Sequence, residues 1–486
     1  MLAQVGLLGL SQAGVTVAAF GSQVLLARTL TREDFGSFTA VLAVVSLTAP
    51  LAVFGVSELW LQVFGQEGAR AYRWVGPSLR LAGAACAALL LGVLAWSAAE
   101  LPDATAAVRA LLATVVVAQA ALALAGSVRQ LRGDYRGLSA LQLAPHLGRV
   151  LVTVAVWAAG LSVVAAAAGY AVVAVATVAA CLLATREFRR GAMPLEGHPA
   201  PAAVPAPAAV PAPAAVPAGP AVPAGPAVPA GPAVPAGPAV PAGPAVPAGD
   251  LDAGLDAGPR PGELLGAATP YVLGNVCYLL GIHFGTVLAA ELLGGAEAAL
   301  LAVPMAVLTA VYLVPRVVYQ QYLLGKLHRW AGSDAEAVLL AYRWGSAGMV
   351  ALGVVVAAAV AVGGLVALPV VFGPEYRDAA PVLAALALAV PFRFGGAAVA
   401  ALLTSGGLLR RKVVYQAVGA VVLLAALAVA VPVWGVRGAA GATVLAEAVL
   451  CCLLWVAARR GVVGDAPLPT WRDLRRRLSR EAPRAS

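Results

Sequence analysis

Three ionisable side chains sit deep inside long apolar runs of this chain: Arg149, Arg393 and Glu447. Charged groups in such runs are costly, and they face a cavity or a partner. Arg149 comes three residues after His146, so both project from one face of a helix. Arg393 follows Pro391 and precedes Gly395 and Gly396, a segment where backbone groups can also open toward a cavity. A guanidinium stays charged and makes forked hydrogen bonds. Arg149 and Arg393, with His146 as a helper, are therefore candidate substrate-binding groups. The structural alternative pairs each arginine internally, for example with Glu447, and uses it to lock helices together.

Glu58, His283 and Glu447 are candidates to carry a coupling ion, because each is an ionisable group within or beside a run. A hydrogen-bonded structural histidine is the competing reading of His283. Arg80 and Arg316 lie nearer the ends of their runs and read as side chains that snorkel to an interface. Asn275, the one asparagine of the chain, reads as glue between helices. No CxxC pair or His/Cys cluster occurs, and the five cysteines all lie in apolar runs, so neither a metal site nor structural disulfides are expected.

The elements that must position these groups are membrane-spanning helices. Of 486 residues, 61% are hydrophobic and 11% charged, against about a quarter charged in soluble proteins. Uncharged runs long enough to cross a bilayer recur along the whole length. A secreted enzyme, a nucleic-acid-binding protein and a cytosolic multidomain protein are excluded. The expected architecture is all-α and polytopic, with about twelve spans in two parallel six-helix bundles around a central cavity. Spans are placed near 3–27, 37–64, 77–99, 106–128, 138–160 and 161–184, then 264–290, 297–323, 344–371, 379–405, 412–433 and 438–458. The domains follow as 1–185, a linker over 186–262, 263–460, and a basic tail over 461–486.

Loop charges give the orientation. Loops after even-numbered spans, with Arg260 and the tail, carry 24 of the 32 basic residues, whereas the opposite loops carry Arg28, Arg32, Arg109, Arg377 and Arg437 beside eight acids. By the positive-inside rule both termini are expected in the cytoplasm of a cell-membrane protein. The net charge of +9 belongs to this pattern and not to nucleic acid.

From Ala203 to Asp250 the linker runs as eight six-residue units of the AVPAPA and AVPAGP kind. Recurrent proline blocks helix formation, so the segment is expected to sample extended polyproline II conformations. It reads as a tolerant linker, with docking of a proline-binding partner as the alternative. In the tail, Trp471, Leu474 and Leu478 share a helical face among arginines, which suits a basic amphipathic helix on an anionic leaflet; a disordered tail is the alternative.

The two halves echo each other. Leu26-Ala-Arg-Thr-Leu30 precedes Asp34, and Ala289-Ala-Glu-Leu-Leu293 precedes Glu297, offset by 263. Both runs point the same way, so the repeats are parallel, a recurrent plan of secondary transporters. Leu26 to Gly36 also resembles the end of the first span in polysaccharide flippases of the multidrug/oligosaccharidyl-lipid/polysaccharide exporter superfamily. Phe372-Gly-Pro-Glu-Tyr376 with Ala379-Ala-Pro-Val-Leu383 resembles that family's loop before the tenth span. Gly435-Val-Arg-Gly-Ala-Ala-Gly-Ala-Thr443 is similar to its approach to the last span. The resemblance covers all but the repeat and the tail.

That resemblance implies a flippase without cofactors, which turns an undecaprenyl-pyrophosphate-linked oligosaccharide across the membrane by alternating access. Membrane lipids and a polysaccharide polymerase are the implied partners, and the chain is expected as a monomer. A cation-coupled multidrug exporter and a lipid II flippase, the latter expected to carry two more spans, are alternatives in the same superfamily. A membrane glycosyltransferase or ligase would need acidic residues gathered in a sizeable external loop. The external acids here are scattered, and no P-loop motif is present to drive an ATPase.

Overall fold

The computed structural model describes residues 2–98, 104–189, 258–315, 335–405, 409–463, 470 and 473. The proline repeat, Arg316 and nearly all of the basic tail lie outside the described residues. Among those described, the chain is helical and contains no strand. The first half comprises α1 (Leu2–Thr29), α2 (Arg32–Val53), α3 (Val56–Glu67), α4 (Tyr72–Ala98), α5 (Ala104–Leu131), α6 (Tyr135–Ala159), α7 (Val163–Ala184) and the short α8 (Arg186–Arg189). The second comprises α9 (Pro261–Leu293), α10 (Gly295–Val311), α11 (Ser346–Val371), α12 (Ala379–Ala387), α13 (Ala389–Ser405) and α14 (Leu409–Ala458).

Local chemistry sets the boundaries. The Thr31 hydroxyl accepts the Asp34 amide N–H at 3.1 Å, and two acids in the first turn of α2 favour its positive end. Asp134 opens α6 by accepting the Gly137 N–H at 2.8 Å. That bond, helped by the Arg129 guanidinium, holds the Asp134 carboxyl below its ordinary range. Gly160 adopts a left-handed φ of 60° and separates α6 from α7. Gly435, at φ 58° and ψ −140°, interrupts the 50-residue α14, so this element supplies the last two expected spans.

The second expected span is not continuous. Pro50 lies in the last turn of α2, and Phe54 is the one non-glycine residue described with positive φ, at 51°. Its amide N–H bonds back to the Pro50 and Leu51 carbonyls, and α3 restarts after Gly55. The break lets α9 come close: a Cβ at Gly55 would strike the Ala268 carbonyl and the Tyr271 side chain. The tenth expected span is likewise divided, into α12 and α13 at Leu388.

Within the first half α1 packs on α6 and α5 on α7; within the second, α9 and α13 pack on α14 and α11 on α13. The halves meet chiefly where α2 runs against both α9 and α10. The seam between α1 and α10 is much sparser. Large apolar side chains stand outward, as Val172 at 70% and Leu183 at 73% exposure illustrate. Such a surface suits hydrocarbon and not water. The structure is that of a multi-pass membrane protein, with apolar helices throughout both halves.

Candidate functional site: two adjoining cavities between the halves

A cavity of about 360 Å³ lies between the halves, walled by α1, α2, α5 and α6 of one and by α9 and α10 of the other. His146 and Arg149 reach it from α6, as their three-residue spacing requires, and His283 reaches it from α9. Gln12, Gln23, Thr16, Thr39 and Ser46 add uncharged polar groups. Among the described residues no carboxylate lines this cavity. The Arg149 guanidinium lies 5.3 Å from the Tyr170 ring, and no acid pairs with it among the described residues. Its Nε is buried without a hydrogen-bond partner. The wall of this cavity thus combines a guanidinium with two imidazoles and several uncharged polar groups.

A second cavity, about 470 Å³, adjoins the first on the side of the arginine-rich loops. Glu58, Asn275, Gln119, Gln130 and Gln142 supply much of its polar wall. Asn275 Nδ2 donates to Glu58 Oε1 at 3.0 Å, and the Ser57 hydroxyl donates to Glu58 Oε2 at 2.6 Å. One α-helical turn away on both helices, the Tyr271 hydroxyl donates to Gln62 Oε1 at 2.8 Å. These two bonds join α3 to α9, and thus half to half. Asn275 therefore bridges helices, as glue of the expected kind.

Arg393 does not join Arg149. It lies wholly within the second half, where its Nη1 donates to Glu447 Oε1 at 2.6 Å. Tyr278 and Tyr312 present ring faces to it at 4.5 and 5.1 Å. The side chains of Arg393 and Glu447 are 12% and 9% exposed, beside a cavity of only about 50 Å³. Of the two candidate arginines, Arg149 lines the central cavity and Arg393 does not, its pairing with Glu447 being the structural alternative. Span limits did not separate the two because they give depth but not azimuth around the helix.

Sequence reasoning also missed the glutamines. Gln12 Nε2 donates to Gln142 Oε1 at 2.8 Å, and Gln119 lines both cavities. The available signal was simple: uncharged amides recurring inside apolar runs, where each needs a partner or a wet cavity.

On the face opposite the arginine-rich loops the halves are closed against each other. Glu33 accepts the N–H groups of Gly295 and Ala296 at 2.9 and 2.7 Å. Arg32 Nε donates to the Ala296 carbonyl at 2.9 Å, and Arg28 donates to the Val370 and Val371 carbonyls at the end of α11. Gly36 fits directly against Gly295, where any side chain would overlap the carbonyl. These contacts join the two halves on this side.

No protein-family model and no curated protein matches the chain. Solved structures do. An inward-facing multidrug resistance transporter of the MATE family, in the MOP superfamily, superposes at TM-score 0.60 with 14% identity, covering 93% of both chains. The lipid II flippase MurJ in an inward closed conformation gives 0.59 with 9% identity, over 93% of this chain and 87% of that one. An outward-facing MATE transporter gives 0.52 with 12% identity, over 94% and 95%. The chain thus has the fold of transporters of the MOP superfamily.

Proposed function

We propose that the protein is a flippase that moves a lipid-linked oligosaccharide, joined through pyrophosphate, from the cytoplasmic to the outer leaflet for cell-surface polysaccharide synthesis. The observation that carries this reading is the unpaired Arg149 in a carboxylate-free cavity between the halves. A cationic drug would be repelled there, whereas a pyrophosphate gains charge-assisted hydrogen bonds. The thin α1–α10 seam supports the reading further, because a substrate anchored in lipid must reach the cavity sideways. The arginine-rich face is cytoplasmic in this proposal, so both termini are too, and the closed Glu33 face looks outward. A negative cell interior then assists outward movement of an anion by about 2.3 kcal/mol per charge per 100 mV. A polymerase acting on the outer leaflet is the natural recipient of the product, and the chain works as a monomer.

A cation-coupled exporter is the second reading, and Glu58 in the neighbouring cavity is what favours it. His283 on the central cavity is the better placed of the other coupling candidates, because Glu447 is occupied by Arg393. Deleting the gene and analysing lipid extracts separates the two. Accumulation of a lipid-linked glycan on the inner leaflet, cleared by the wild-type gene, is the expected result. An unchanged glycan profile with reduced efflux of a cationic dye would replace the flippase by the exporter.

A further inference from the structure

The two central cavities touch but differ in chemistry. Gln119 belongs to both walls, and the Gln12–Gln142 hydrogen bond links a residue of one to a residue of the other. Among the described residues, the wall of the larger cavity carries no cation and no aromatic ring. Its polar groups are amides, hydroxyls and one carboxylate, supplied by Gln119, Gln130, Gln142, Asn275, Ser127 and Glu58. An amide offers donors and an acceptor together, and each Glu58 oxygen, holding one hydrogen bond, keeps a lone pair to accept another. This inventory suits a neutral group rich in hydroxyls, which brings donors and acceptors in similar number. It does not suit a pyrophosphate, which brings acceptors only. A volume near 470 Å³ lies in the range of small-molecule sites.

We infer that the larger cavity is the sugar-binding subsite, and that it works beside the anion subsite at Arg149. The inference rests on the lipid-linked reading proposed above and adds to it a division of labour. In a sugar joined directly to pyrophosphate the hydroxyl-rich ring and the charge are covalent neighbours. Two adjoining cavities, one of amides and one with an unpaired guanidinium, reproduce that order. Glu58 accepts from sugar hydroxyls here, and its negative charge keeps the pyrophosphate on the Arg149 side.

Binding of two probes to the purified protein in lipid nanodiscs tests this. One is geranylgeranyl pyrophosphate; the other is the same molecule carrying one N-acetylglucosamine. Wild type is expected to bind the sugar-bearing probe about tenfold more tightly, the worth of one or two net hydrogen bonds. Gln130→Ala and Ser127→Ala should each erode that preference while leaving the bare probe's affinity unchanged, which also reports an intact fold. Arg149→Ala should weaken both probes. If the Gln130 and Ser127 variants change neither probe, or weaken both equally, the subsite is overturned while the anion site at Arg149 stands. If wild type binds neither probe but binds tetraphenylphosphonium, and Glu58→Gln abolishes that, the lipid-linked reading and the sugar subsite are both overturned.

Discussion

Glu33 Oε2 accepts the amide N–H of Ala296 at 2.7 Å, and the two residues stand 263 positions apart. That separation is also the offset between the repeated segments that end the first helix of each half. In the register of that sequence echo, Glu33 therefore touches the position that corresponds to its own in the second half. A carboxylate at the first turn of α10 meets two N–H groups that no preceding turn can satisfy, and the positive end of the helix favours it. The contact spans the two halves on this face.

Opening the outer face must break that cap, so weakening the cap should favour the open form. Glu33 is exposed to solvent, which limits its worth to about 0.5–1 kcal/mol. Glu33→Ala is expected to raise the outward-open population by about two- to fivefold. Gly36→Ala should do more, because the new methyl would overlap the Gly295 carbonyl. The readout is maleimide labelling from outside at Gln23→Cys, on the wall of the central cavity. Unchanged labelling in both variants would show that this contact does not gate the cavity.

The Arg393–Glu447 pair gives a contrasting expectation. Both groups are largely buried, so removing one partner leaves a charge in a dry site at a cost of roughly 3–5 kcal/mol. Arg393→Ala should be poorly expressed and melt early, and Arg393→Met with Glu447→Leu should recover abundance. Normal abundance and melting in Arg393→Ala, together with lost export, would move the pair from scaffold to transport mechanism.

Depth was legible in the sequence, and direction was not. Apolar runs marked the spans because lipid demands long uncharged helices whatever they pack against. His146 and Arg149 share a cavity because a three-residue spacing fixes their relative azimuth. Nothing comparable fixed Arg393 relative to Arg149, since helices apolar on every side carry no pattern to say which face meets the cavity. The left-handed Phe54 was hidden for another reason. Proline within a membrane helix is tolerated where neighbouring groups re-satisfy the backbone, so Pro50 alone does not announce a break, and the break answers the approach of α9, a partner more than 200 residues away.

Topology is tested by cysteines at Ala206, within the proline repeat, at Ser486 and at Asp378. An impermeant maleimide applied to cells stripped of outer barriers should label only Asp378→Cys. Removing four of the eight six-residue units should leave export unchanged, because recurrent proline keeps the repeat from forming a packed core. Labelling at Ala206→Cys or Ser486→Cys before lysis would invert the orientation, and lost export at normal abundance would make the repeat a working part.

Arg149 carries the decisive prediction. It is the one permanently charged side chain on the central cavity, and no acid neutralises it among the described residues. Its loss therefore removes the attraction for an anion without stranding a buried partner, unlike the loss of Arg393. Arg149→Ala should be as abundant as wild type while export of the glycan falls by about tenfold or more, the worth of a single charge-assisted hydrogen bond of roughly 1.5–3 kcal/mol. Arg149→Lys should recover part of the rate, since the charge survives and the planar fork does not. His146→Gln, which keeps hydrogen bonding but cannot become cationic, should cost less than Arg149→Ala if the histidine only assists. A structural Arg149 predicts the reverse order of effects: low abundance in Arg149→Ala, no recovery of rate per molecule by lysine, and a normal rate for whatever protein reaches the membrane.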